Sequence, residues 1–249
     1  MPENLSHSFK AEIELVTSAD LKADAFICNA IRARYPTHRI LSEESAPSVD
    51  NTDYENPVWI IDPIDGTVNY AHGHNQVAVS IAYVEHGDIH SGAVYNPFLD
   101  ELFLAQRGAG AWLNGKPIRV GRQTELRRSL IATGFPYDKS GLAPFIQQLS
   151  QILEHCADIR RIGSAALDIC WVAMGRLDGY YESLSIWDFA AAQLIAREAG
   201  AVYGHFGPLP PDANPVFHTD HILVSNPELF PKLQQLLQQV PGLVSPGQA

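Results

Sequence analysis

The chain has 249 residues, 46% hydrophobic and 18% charged, which is the balance of an ordinary globular protein with one sizeable core or two fused subdomains. Its 17 basic and 28 acidic residues give a formal charge of −11, which argues against direct nucleic-acid binding and against attraction to an anionic membrane. An acidic protein still binds an anionic ligand where metal ions invert the local field. From the N-terminus, Leu21, Ala25, Ile27, Cys28 and Ile31 recur at roughly the helical period, so a helix is expected from Ser18 to Tyr35, stopped by Pro36. Arg39 to Ser42 reads as a short strand, Ala46 to Pro57 as a polar loop, and Val58-Trp59-Ile60-Ile61 as a buried strand. Val77 to Glu85 and Ile89 to Asn96 alternate as an antiparallel hairpin, with further strands at Glu101 to Ala105 and Gly110 to Leu113. Asn114-Gly115 marks a tight turn, and a soft subdomain division is expected near residues 114–123 of one catalytic domain spanning 1–249.

The second half alternates differently. Strands are expected at Ser129 to Thr133, Asp178 to Glu182, Val202 to Phe206 and Ile222 to Val224. Helices are expected at Leu142 to Cys156, at Ser164 to Met174 with Ser164 as N-cap, at Trp187 to Ala199 closed by Gly200, and at Glu228 to Gln239. Cys28, Cys156 and Cys170 are widely spaced with no CxxC pair, which suits a reducing compartment. The polar N-terminus has no leader pattern and no stretch is apolar enough to span a bilayer, so a cytoplasmic protein without a membrane partner is expected.

The segment richest in chemistry runs from Trp59 to Tyr70. A buried strand leads into Asp62 and Asp65, with Pro63 between them and Gly66-Thr67 directly after. In a plain strand residues i and i+3 face opposite sides, so a turn is expected to bring the two carboxylates to one spot. Gly66 permits that turn, and the Gly66 and Thr67 amides would then open towards an anion. Alone, Asp-x-x-Asp-Gly is equally a common Asp-rich turn.

The full string Asp62-Pro63-Ile64-Asp65-Gly66-Thr67, followed by Asn69-Tyr70, resembles the signature of the inositol monophosphatase family. Further motifs follow that family's order. Glu14-Leu15-Val16-Thr17-Ser18-Ala19-Asp20 is similar to an early Asp-x-Val-Thr-x-x-Asp element, with Glu14 for the usual Asp. A long helix usually precedes it in the family, so either that helix is absent here or the chain's start is late. Ser42-Glu43-Glu44-Ser45 is similar to Gly-Glu-Glu-Ser, and Trp187-Asp188-Phe189-Ala190-Ala191-Ala192 to Trp-Asp-x-Ala-Ala-Gly. The resemblance implies an α/β fold, an αβαβα layered sandwich with an α+β first part and an α/β second part. It also implies a homodimer and a lithium-sensitive phosphatase acting on a small phosphorylated metabolite.

Carried over by position, the resemblance implies two or three Mg²⁺ ions held by Glu43, Asp62, Asp65, Asp188 and the Ile64 carbonyl. Thr67, oriented by Asp20, would position and deprotonate the attacking water. Glu43 is also implicated in catalysis. Asp65, Gly66, Thr67, Ala165, Glu182 and Asp188 would meet the substrate, with Arg160 and Arg161 just upstream of Ala165. Hard oxygen ligands of this kind suit magnesium. Asp188 fits equally a capping box with Ser185, and Thr17 and Asp20 a cap on the first helix; these roles are compatible. His72, His74, His218 and His221 lack zinc-site spacing and read as surface histidines. Inositol 1-phosphate is the expected substrate. Fructose 1,6-bisphosphate, histidinol phosphate and nucleotide 3′-phosphates are the alternatives, beside a regulatory protein-binding role.

Overall fold

A computed structural model describes residues 7–10, 14–45, 52–136, 139 and 142–240; side chains before Thr17 lie outside that description. The Ala46 to Asn51 part of the expected loop is likewise outside it. The chain opens with an antiparallel hairpin, β1 (His7–Lys10) and β2 (Glu14–Thr17), which the polar N-terminal sequence did not suggest. Helix α1 (Ser18–Arg34) follows and packs against β4.

A seven-stranded sheet takes strands in the order β3 (Arg39–Ser42), β4 (Val58–Asp65), β5 (Ala78–Glu85), β6 (Asp88–Asn96), β7 (Glu101–Gln106), β8 (Gly110–Leu113) and β9 (Lys116–Pro117). Only β3 and β4 run parallel; the rest is an antiparallel meander. Asn114 and Gly115 both have positive φ, 49° and 73°, which is the hairpin turn their sequence demands. Between β4 and β5 lies a short helix, α2 (Thr67–Ala71).

The second sheet has five strands, in the order β11 (Asp158–Arg160), β10 (Leu130–Thr133), β12 (Gly179–Glu182), β14 (Ile222–Ser225) and β13 (Val202–His205). Between the sheets lie α4 (Ala165–Ala173) and α5 (Ile186–Glu198), which pack on each other and on strands of both. Every residue of α4 is buried, which is why its sequence is apolar all round. Outside the second sheet, α3 (Leu142–His155) meets α6 (Phe230–Gln238), and together they cover β11 and β14. The layers therefore run α1, sheet, α4 with α5, sheet, α3 with α6, the αβαβα sandwich expected.

One hydrophobic cluster joins the halves: Leu41, Ile60 and Phe103 from the first sheet share it with Phe189, Leu194, Tyr180 and Val224. Among the described residues no helix is long and apolar enough to cross a membrane.

Candidate metal and catalytic centre

Asp62 and Asp65 do reach one spot, but not by the turn expected between them. The strand continues through both, and no turn separates them. Asp62 pairs with Ser80 and Asp65 with Ala78, so three steps on β4 oppose two on β5, which is a bulge. The bulge falls at Pro63, which has no N–H to give the ladder. Asp62 Oδ1 accepts from the Ile64 amide at 3.0 Å and fixes the local bend. The turn comes next, at Gly66, whose φ is 97°. A Cβ there would lie 2.9 Å from the Gln76 carbonyl oxygen and 3.0 Å from that of Gly163, so glycine is required twice over.

Asp188 joins them from the first turn of α5. One oxygen each from Asp62, Asp65 and Asp188 falls within 4.8 Å of the others. Asp62 and Asp65 are only 2% and 6% exposed. Burial, then the charges of Glu43, Asp65 and Asp188, pushes Asp62 well above the usual carboxylate range. Burial raises Asp65 to about 6, held there against opposing hydrogen bonds from Ser164 and Ala166. Asp188 is pushed up by burial and by Asp65. Three carboxylates that repel one another in this way fit a divalent cation with hard oxygen ligands. Glu43 stands beside Asp62, its amide bonded to the Ile61 carbonyl at 3.2 Å, but it is outside the three-oxygen cluster.

The remaining expected groups surround this point. Thr67 Oγ1 donates towards Asp20 Oδ1 at 3.0 Å and towards the Ile64 carbonyl, an expected metal ligand, at 3.1 Å. The other Asp20 oxygen takes the Thr17 amide at 2.9 Å and the Thr17 hydroxyl, which completes the capping box of α1. Asp188 likewise caps its own helix, with Oδ2 accepting from the Ser185 amide at 2.9 Å.

Ser164 does more than cap α4. Its hydroxyl donates to Asp65 Oδ2 at 2.6 Å, and the Ala166 amide reaches the same oxygen at 2.7 Å. The first amides of α4, expected to face substrate hydroxyls, are thus partly occupied by Asp65; Ala165 itself lines the cavity.

Two adjoining spaces lie by the cluster, and one of them reaches its acids. An inner chamber of about 70 Å³ is lined by Asp65, Asp188, Ala165, Glu182 and Asp168. An outer cleft of about 530 Å³ runs over Thr67, Asn69, His74 and Gln76, and the two share Gly66, Gly163 and Arg161. Glu182 is raised by burial to about 7 and accepts from the Tyr180 hydroxyl. Its carboxylate lies over Gly134, where a Cβ would stand 2.0 Å from Oε1.

Asp168 is the residue that sequence reading missed, because it sits within an apolar helix and reads as an isolated core position. Arg160 turns away, paired with Asp158 at 2.7 Å, whereas Arg161 lines both spaces. His72 and His74 are exposed as expected. His218 and His221 are only partly exposed. His218 packs against His205 and His221 against Phe206, while the His205 ring nitrogens meet the Asp220 and Pro215 carbonyls at 2.7 and 3.0 Å, because the Pro-rich loop of residues 208–215 folds back on β13.

Comparison with known proteins gives a consistent result. The chain is 45% identical over 206 residues to Nus factor SuhB of Vibrio cholerae, covering 82% of this chain and 76% of that protein. The crystal structure of extragenic suppressor protein suhB from Bartonella henselae superposes with a TM-score of 0.85 at 38% identity, covering 95% of this chain and 90% of the other. SaIMPase-II solved with inositol monophosphate bound gives a TM-score of 0.77 at 30% identity, over 88% of this chain and 83% of that one. The profile of the inositol monophosphatase family matches residues 3–241, and with the fold and the acidic centre in agreement, this chain belongs to that family.

Proposed function

We propose that this protein is a magnesium-dependent phosphatase that hydrolyses a small phosphate monoester, with myo-inositol 1-phosphate as its preferred substrate. The reading rests above all on one observation: Asp62, Asp65 and Asp188 converge within 4.8 Å, and the Thr67 hydroxyl hydrogen-bonds Asp20 close by. The family membership and the relative solved with inositol monophosphate support it.

In this reading Glu43, Asp62, Asp65, Asp188 and the Ile64 carbonyl hold two or three Mg²⁺ ions. Bound magnesium supplies charge stabilisation on the transferring phosphoryl group and eases ionisation of water. Thr67 Oγ1 accepts the proton of the attacking water as its own proton passes to Asp20 Oδ1. The Gly66 and Thr67 amides hold phosphate oxygens, and Glu182, Ala165 and Asp188 meet the leaving group. As the phosphorus–oxygen bond breaks, the leaving alkoxide takes a proton from solvent. The enzyme works as a cytoplasmic homodimer, each chain one catalytic domain.

The test is phosphate release from myo-inositol 1-phosphate, fructose 1,6-bisphosphate, histidinol phosphate and a nucleoside 3′-phosphate. We expect magnesium-dependent turnover, fastest on the inositol ester, inhibited by millimolar lithium and abolished by Asp65→Asn. No turnover on any ester with magnesium would overturn the reading.

A second reading is favoured by the name Nus factor carried by a 45% identical relative. On that reading a protein partner is the main business of the molecule. Replacing the chromosomal copy with Asp65→Asn separates the two, since a partner role survives loss of turnover.

A further inference from the structure

Asp168 is a carboxyl group set into a helix that otherwise presents only apolar side chains. It is 1% exposed, and its Oδ1 has no hydrogen-bond partner. Buried polar groups are rarely left unpaired, and one that borders a cavity is open to a ligand or water. Asp168 stands one turn beyond Ala165 on α4 and opens onto the inner chamber together with Glu182. It is not one of the three acids that gather around the metal position. Glu182, on β12, lines the same chamber and is braced by the Tyr180 hydroxyl. The chamber is small, about 70 Å³ beside the 530 Å³ of the neighbouring cleft, and it has room for hydroxyl-sized groups.

Building on the phosphatase reading, we propose that Asp168 binds a second hydroxyl of the leaving group beside the one met by Glu182, so that the site selects phosphate esters of polyols. A pocket built to hydrogen-bond a hydroxyl discriminates strongly against a ligand without one, because its own polar group is then stranded.

The experiment compares wild type, Asp168→Leu and Asp168→Asn, as full chains with magnesium, on myo-inositol 1-phosphate and p-nitrophenyl phosphate. Leucine fills the same space without a polar atom. We expect Asp168→Leu to keep or raise the melting temperature and to lower kcat/KM for the inositol ester at least about tenfold, through KM. Turnover of p-nitrophenyl phosphate should stay within about twofold, and asparagine should restore part of the selectivity. An equal fall on both esters, or no fall on either, overturns the proposal.

Binding is read separately by saturation-transfer NMR of myo-inositol on the magnesium-loaded proteins. Signal with wild type and none with Asp168→Leu supports the assignment; equal signal, or none with wild type, overturns it. This second measurement decides the role of Asp168 even if wild type hydrolyses neither ester, the result that would instead remove the phosphatase reading.

Discussion

Thr67 Oγ1 lies 3.0 Å from Asp20 Oδ1, a bond across 47 positions that ties the first helix to the start of α2, just past the bulged strand. Asp20 divides its two oxygens between structure and chemistry: Oδ2 closes the cap of α1 with Thr17, and Oδ1 faces Thr67. The two jobs separate by mutation. Thr67→Val should lower kcat by about 10²-fold or more with little change in KM, because proton transfer loses its relay. Thr17→Ala should cost about 1 kcal/mol of stability while kcat is largely kept. Steady-state kinetics beside urea melts check both.

Asp62 is the most crowded acid of the centre. Replacing it with asparagine removes a charge that burial and three neighbouring acids disfavour. Asp62→Asn should therefore raise the melting temperature of the metal-free protein and abolish the further rise that magnesium gives the wild type. Calorimetric scans with EDTA and with magnesium read both effects; an unchanged magnesium shift would remove Asp62 from the ligand set.

The pH dependence follows from Asp65, raised from 3.8 to about 6 in the folded chain. Between those values the folded state keeps a proton that the unfolded state has lost. Stability is then fully present below the lower value and falls as pH rises through the upper one. For this one group the loss is about 3 kcal/mol. Urea melts in EDTA from pH 4 to 7 should show the decline. Magnesium should flatten it, because metal ions bind the deprotonated carboxylate.

Gly66→Ala meets two carbonyl oxygens and a left-handed backbone at once. It should destabilise by about 2 kcal/mol or more and remove activity, since neither carbonyl gives way easily. Urea melts and magnesium-dependent phosphate release check both.

The same substitution at Gly134 should behave differently. The obstacle there is the end of the Glu182 side chain, which can swing aside. Gly134→Ala should keep its melting temperature within a few degrees and raise KM for the polyol ester. A melt beside steady-state kinetics checks it, and a folded variant with unchanged KM would take Glu182 out of the substrate pocket.

The acids of β4, Thr67 and Asp188 were legible in the sequence because each sits in a contiguous motif whose residue types are unusual together. Most helices and strands were legible too, from periodicity and from stops such as Pro36 and Gly200. The bulge was not, since an extra residue in a ladder depends on the register of β5, a partner 13 or more positions away. Asp168 was hidden for another reason. An aspartate flanked by Leu167 and Ile169 carries no local sign of what faces it, and only the approach of β12 supplies that. The partial burial of His218 and His221 was not legible because a Pro-rich loop reads as surface until its fold against β13 is known. The pairing of β1 with β2 was invisible because four-residue strands of mixed polarity are too short to leave a clear pattern.

Ser164, bonded to Asp65 while capping α4, makes the acidic centre a product of docking between the two sheets. A ribosome delivers Asp62 and Asp65 more than a hundred residues before Asp188, so a nascent first sheet carries two acids with no third to complete the set. The three-acid cluster that could hold a metal ion is thus complete only when α4 and α5 have closed over β4. In a refolding experiment, metal affinity should appear in the last kinetic phase, after the far-ultraviolet signal of the sheets has developed.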